Sequence, residues 1–178
     1  MISHRALALI LALMSLPVSP LATDPATPRI EVFKARRELQ LFYGAQLIKT
    51  YHVALGTNPI PPKEREGDRA TPEGTYFVCQ KNPKSKFHLS LGLNYPNATD
   101  AARGLKAALI TDAEYQAILQ AEAAHQTPPW NTALGGEIFI HGGGICTDWT
   151  WGCVALADPN IEELYNLVPL NTPVTIHP

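Results

Sequence analysis

Two residues near the C-terminal end of the chain carry the types and spacing for nucleophilic chemistry. His141 closes a short apolar run, Ile138-Phe139-Ile140, and is followed at once by Gly142, Gly143 and Gly144. Cys153 follows Gly152 at the far end of a polar loop, ahead of a second apolar run. A thiol is the reactive species only as thiolate. At an ordinary pKa of about 8.5, roughly 3% is ionised at pH 7. Lowering that value by about two units would raise the fraction to roughly three quarters. An imidazole beside the thiol can do this, and can carry protons for a leaving group. The expectation is therefore a Cys–His pair with Cys153 as nucleophile and His141 as base.

Such a pair needs two elements. A strand must deliver His141 to a sheet edge, and a glycine-rich loop must turn back to deliver Cys153. Two rival chemistries fit the same stretch less well. His-Gly-Gly-Gly also occurs as the oxyanion loop of lipase-like hydrolases, but that needs a Gly-x-Ser-x-Gly elbow downstream, and this chain has none. A zinc site from His141, Cys146, Cys153 and Cys79 would lack any Cys-x-x-Cys pair and matches no common zinc module. No metal site is therefore expected from these residues. With 3 cysteines, one working thiol leaves Cys79 and Cys146 either free or paired with each other.

The rest of the chain sets the frame. At 178 residues there is room for one domain with a core of its own. A net charge of -2, from 14 Lys+Arg against 16 Asp+Glu, implies no strongly basic face and so no nucleic-acid partner. Residues 1–22 read as a secretory signal: a polar start at His4 and Arg5, an apolar run too short to span a bilayer, and Pro17 and Pro20 closing it. Residues 23–29 read as a spacer and 30–178 as the domain. Ile30 and Val32, then Leu39, Leu41 and Tyr43, alternate as strands, with turns at Arg36-Arg37 and Gly44, which predicts a β-meander. Residues 56–74 are proline- and glycine-rich and read as a loop. Thr111-x-x-Glu114 is a capping box before a helix over 113–125 within a helical insert, and Trp130 reads as an anchor or lid beside the groove. Asp158 and Pro159 open a C-terminal helix with Ile161, Leu164, Tyr165 and Val168 on its apolar face, and a last strand closes the chain.

The stretch His141-Gly142 and Thr150-Trp151-Gly152-Cys153-Val154-Ala155 resembles the catalytic motif of the L,D-transpeptidase (YkuD-type) family, a His-Gly at a strand end followed by Ser/Thr-x-Gly-Cys-x-Arg. It departs at Ala155, where the family has arginine. The loop ending Lys63-x-x-x-Gly67-Asp68-x-x-Thr71-Pro72-x-Gly74 resembles a second family segment, and Ser85-x-Phe87-His88 with Tyr95-Pro96-Asn97 a third. The resemblance implies a mainly β fold, a β-sandwich of mixed sheets with a helical insert and one C-terminal helix. It implies catalysis by Cys153 and His141, with the Gly142 carbonyl orienting the imidazole and the amides of Gly152 and Cys153 meeting an oxyanion. His88, Thr150 and Trp151 are expected to line the substrate groove. The implied partners are peptidoglycan stem peptides, handled in the periplasm by a monomer. The implied reaction forms a thioester on diaminopimelate, releases D-alanine and makes a 3-3 cross-link. Some family members use the same Cys–His pair to hydrolyse peptidoglycan peptides, including bonds to a wall-attached lipoprotein. A non-catalytic wall-binding module is the remaining alternative, and it has no use for both Cys153 and His141.

Overall fold

A computed structural model describes residues 27–178. The expected signal and most of the spacer lie outside them. The first strand begins at Pro28, two positions before the expected domain start at residue 30.

The predicted meander forms. β1 (Pro28–Phe33) pairs antiparallel with β2 (Glu38–Tyr43), and β2 with β3 (Gln46–His52). A 3-10 turn (Lys34–Arg36) and Arg37 at φ 54° make the first reversal, and Gly44 at φ 55° makes the second. Alternation does the sorting: Ile30, Val32, Leu39 and Leu41 face inward and are fully buried. β3 is one of the two edge strands in the sheet order, and Tyr51 is its buried residue.

β8 (Pro173–His177) joins β1 in parallel and β4 (Gly74–Ser85) antiparallel. β4 continues into β5 (His88–Leu93), which pairs with β6 (Phe139–His141), and β6 pairs in parallel with β7 (Val154–Ala155). The result is mainly β with mixed pairing, as expected. The two expected layers share the long β4, so they form one curled eight-stranded sheet in the order β3-β2-β1-β8-β4-β5-β6-β7. The curl brings the sheet's ends together. Ala54, just past β3, exchanges backbone hydrogen bonds of 2.9 and 2.8 Å with Ala155 of β7. Inside the curl Val78, Leu91, Leu93, Ile140, Val154 and Ile176 form the main core.

The helical insert holds two helices. α2 (Asp112–Ala123) carries the expected Thr111–Glu114 capping box. α1 (Ala98–Lys106) has its own capping box from Asn97 and Asp100. Together with Leu134 they build a small second core around Ala101, Ile110 and Ile118. α3 (Asp158–Leu167) buries Ile161 and Leu164 against the sheet, as predicted. Its cap differs from expectation: Asp158 is already helical, and its carboxylate accepts from the Gly143 amide at 2.8 Å instead.

Candidate active site

β6 is short and its middle residue, Ile140, is fully buried between Leu91 of β5 and Val154 of β7. That pairing fixes His141 at the strand end. Its Nδ1 lies 2.6 Å from the Gly142 carbonyl oxygen. A carbonyl only accepts, so Nδ1 carries the proton and Nε2 keeps its lone pair. Phe87 stacks on the ring at 4.7 Å, and Trp149 meets it edge-on at 5.5 Å. Burial pushes the imidazole below its ordinary pKa, and the hydrogen bond to Gly142 opposes this in part. Glycine is required at 142, since a Cβ there would lie 2.5 Å from Asp158 Oδ1 and 2.9 Å from the Phe87 carbonyl.

The loop over 142–153 is tied down at both ends. Gly142 donates to the Phe87 carbonyl at 3.0 Å, and Gly144 to the Leu156 carbonyl at 3.0 Å. On the return, Asp148 takes a forked contact from Arg37, with Nη2 at 2.7 Å and Nε at 3.0 Å, and accepts the Leu55 amide at 2.8 Å. Thr150 donates its hydroxyl to the Cys153 carbonyl at 2.7 Å and accepts the Gly152 amide at 3.2 Å. Gly152 sits at φ 126°, where a Cβ would lie 2.7 Å from the Ala70 carbonyl.

The Cys153 sulfur accepts from the Phe139 amide at 3.4 Å, and its S–H faces the Glu137 carbonyl at 3.5 Å. Desolvation pushes the thiol up to about 11; the Phe139 amide and the Lys63 charge pull the other way, and Glu137 adds to the rise. Removal from water thus disfavours the charged form of both groups, a direction opposite to the expected lowering of the thiol.

Three clefts open onto Cys153. One of about 350 Å³ runs past Lys63, Glu66, Trp130, Asn131, Glu137 and Trp151. A second, about 470 Å³, passes Lys84, Lys86, Phe87, Glu137, Phe139 and His141. The third, about 310 Å³, lies between Phe87, His141, Trp149 and Trp151. His141 and Cys153 both line the second and third of these clefts.

The model of the L,D-transpeptidase catalytic domain matches residues 27–176. The chain belongs to that family. It is similar to YafK of Escherichia coli strain K12, itself assigned only provisionally as an L,D-transpeptidase, at 26% identity over 92% of this chain and 64% of that protein. Its fold is similar to three solved structures. Bd1075 of Bdellovibrio bacteriovorus matches with TM-score 0.56 and 25% identity over 85% of this chain and 48% of that one. The helical cell shape determining protein Pgp2 of Campylobacter jejuni matches with TM-score 0.58 and 22% identity over 86% and 47%. An L,D-transpeptidase of Xylanimonas cellulosilytica matches with TM-score 0.52 and 13% identity over 90% and 63%. The chain thus spans less than two thirds of YafK and about half of Bd1075 and Pgp2.

Of the predicted site residues, His141 and Cys153 share the second and third clefts, and the Gly142 carbonyl lies at His141 Nδ1. Trp151 is 70% exposed on a cleft wall, with the Arg69 guanidinium over its ring at 4.8 Å. Thr150 borders the third cleft but is buried, and its hydroxyl is spent bracing the loop. The Gly152 amide donates to the Thr150 hydroxyl at 3.2 Å, and the Cys153 amide has no partner among the described residues. His88 lines none of the three clefts; its Nε2 pairs with Glu162 of α3 at 2.7 Å. Its neighbour Phe87 takes the place at the imidazole.

At the site, Trp149 stands by the groove as the sequence reading placed it, whereas Phe87, Lys63 and Glu137 were given no role there. The signal for Phe87 was the hairpin turn: His88 has φ 72°, so adjacent residues there do not follow strand alternation. All three cysteines are free. Among the described residues no group of three His, Cys, Asp or Glu side chains could hold a metal ion. Ala155 is fully buried between Ala54 and β6, so the family's arginine has no counterpart behind the cysteine.

Proposed function

We propose that this chain is a peptidoglycan L,D-transpeptidase with Cys153 as nucleophile and His141 as its base. The observation that carries this is the meeting of three open clefts at Cys153, two of them also lined by His141, whose Nε2 has no partner among the described residues. In the proposed reaction the sulfur attacks the carbonyl on the L-centre of diaminopimelate while Nε2 takes its proton. The Cys153 amide stabilises the oxyanion. His141 returns the proton to the departing D-alanine amine, leaving a thioester. A side-chain amine of a second stem then attacks it and forms the 3-3 cross-link. A neutral resting pair suits this sequence, because charge develops only as the bond forms.

Hydrolysis of the same thioester is the second reading, and two observations favour it. Three clefts meet at the half-buried Cys153, and Trp151 is exposed on the wall of two of them. Water would then take the place of the amine at the thioester, and a wall-attached lipoprotein could be the group released when the thioester forms. On either reading the substrate calls for a protein that works in the periplasm, and we take it to act there as a monomer. Purified protein is to be incubated with tetrapeptide-bearing muropeptides. The expected products are D-alanine and dimers linked through two diaminopimelates, all lost in Cys153→Ala and retained in Cys79→Ala and Cys146→Ala. Tripeptide monomers without dimers would select hydrolysis, and an active Cys153→Ala would remove the nucleophile from the scheme.

A further inference from the structure

Glu137 stands where the first and second clefts meet; it and Cys153 are the two residues that line both. Its backbone is held at φ 53°, in the left-handed region that a non-glycine residue adopts at a cost. That bend, after Gly135 at φ 77°, turns the Glu137 carbonyl onto the thiol. Its carboxylate takes part in no ion pair among the described residues. Lys63, the cation in the first cleft, is engaged by Asp68 Oδ1 and the Arg65 carbonyl, both at 2.9 Å. A free negative charge beside a sulfur that must itself become negative has the wrong sign for acylation, and it adds to the rise of the thiol. The charge suits a cation arriving after the thiol has been consumed. The walls agree: Glu66 and Glu137 line the first cleft, whereas Lys84 and Lys86 line the second and suit the carboxylates of a donor stem.

We propose that Glu137 is the specificity residue of the second half-reaction, its carboxylate holding the ammonium of the acceptor stem at the thioester carbon. The inference rests on the transfer reading above. The acceptor's ammonium first sheds one proton to solvent. The amine nitrogen then bonds to the thioester carbonyl carbon, the C–S bond breaks, and the second proton passes through His141 Nε2 to the sulfur. Thiol and neutral imidazole are restored. Held in this way, an amine competes with water at about 55 M through position rather than concentration.

The test is Glu137→Gln, which keeps shape and removes charge, with Glu137→Asp as the conservative variant. The probes are tetrapeptide muropeptides for products and iodoacetamide for the thiol. The ratio of dimer to tripeptide is expected to fall about tenfold in Glu137→Gln and to recover in part in Glu137→Asp. Alkylation of Cys153 is expected to quicken in Glu137→Gln. An unchanged product ratio overturns the assignment, as does loss of dimers without faster alkylation, which marks a disturbed site. A wild-type protein that makes tripeptides and no dimers overturns the transfer reading and this inference with it. That failure is recognisable because it needs no variant.

Discussion

Burial sets the protonation of both reacting groups, and it moves them in opposite directions from what a preformed ion pair would need. The His141 imidazole is pushed down and the Cys153 thiol up to about 11, both chiefly by desolvation. Two pH dependences follow. As pH falls through the lowered His141 value, the base is protonated and lost, so the acid limb of kcat/KM should fall below about 6.5, the ordinary imidazole value. Between that lowered value and 6.5 the unfolded chain binds more protons, so stability rises with pH across the same window. Alkylation of free Cys153 by iodoacetamide should rise about tenfold per pH unit from pH 7 to pH 10, since the thiolate fraction does. A rate already flat by pH 7 would show an ion pair at rest and contradict the neutral-pair mechanism. The identities of Cys153 and His141 were legible because few residue types do this chemistry and the glycines around them are a backbone signal. Their titration was not legible, because it depends on what surrounds the pair in space. Phe87 and Glu137 approach the pair through a hairpin turn and a left-handed bend, and neither leaves a periodic trace in the sequence.

At the scale of elements, the loop over 142–153 holds the thiol in place, and Asp148 is its main anchor. Its carboxylate accepts from Arg37 on the β1–β2 turn and from the Leu55 amide, linking the loop to the opposite end of the curled sheet. Asp148→Ala would leave the Leu55 amide and the Arg37 guanidinium without their acceptor. The cost is about 1–3 kcal/mol for partly exposed, charge-assisted bonds. Thermal unfolding should shift down by several degrees, and kcat should drop more than KM rises, because the loop positions the nucleophile rather than the substrate. Full activity in Asp148→Ala would show that Thr150 and the glycine contacts hold the loop alone. Strands with a buried face, such as β1 and β2, were readable from alternation. The end of β4, over 80–85, leaves no such trace, because its residues are polar and partly exposed and only their pairing with β5 makes them strand. α1 was passed over although Asn97 and Asp100 are its capping box; nine residues with few apolar side chains give little periodicity, and packing on α2 and Leu134 supplies its stability.

At the scale of the whole molecule, the sheet's order could not be read from sequence, because β8 enters between β1 and β4 and the loop after β3 returns to β7. Lys34 shows how the two halves are joined. It follows β1, yet its side chain is only 2% exposed. Its Nζ donates to the Pro61 carbonyl at 2.9 Å and the Thr71 carbonyl at 3.1 Å, and pairs with Glu73 at 2.7 Å. These partners bracket the loop that supplies Lys63, Glu66 and Gly67 to the first cleft. A buried cation so fully engaged is costly to remove, because Glu73 and two carbonyls lose their partner together. Breaking one side of a buried pair typically costs about 3–5 kcal/mol. For a domain of this size each kcal/mol is worth about 2–4 °C in Tm, so Lys34→Met should lower Tm by roughly 10 °C. The double variant Lys34→Met with Glu73→Leu should recover much of that loss, since no uncompensated charge then remains. Below the new Tm, the single variant should still be alkylated at Cys153 at the wild-type rate, because the loop over 142–153 is anchored independently through Asp148. Cys153 reactivity falling in step with the lost stability would instead show that the first cleft and the nucleophile loop are set by one shared clamp.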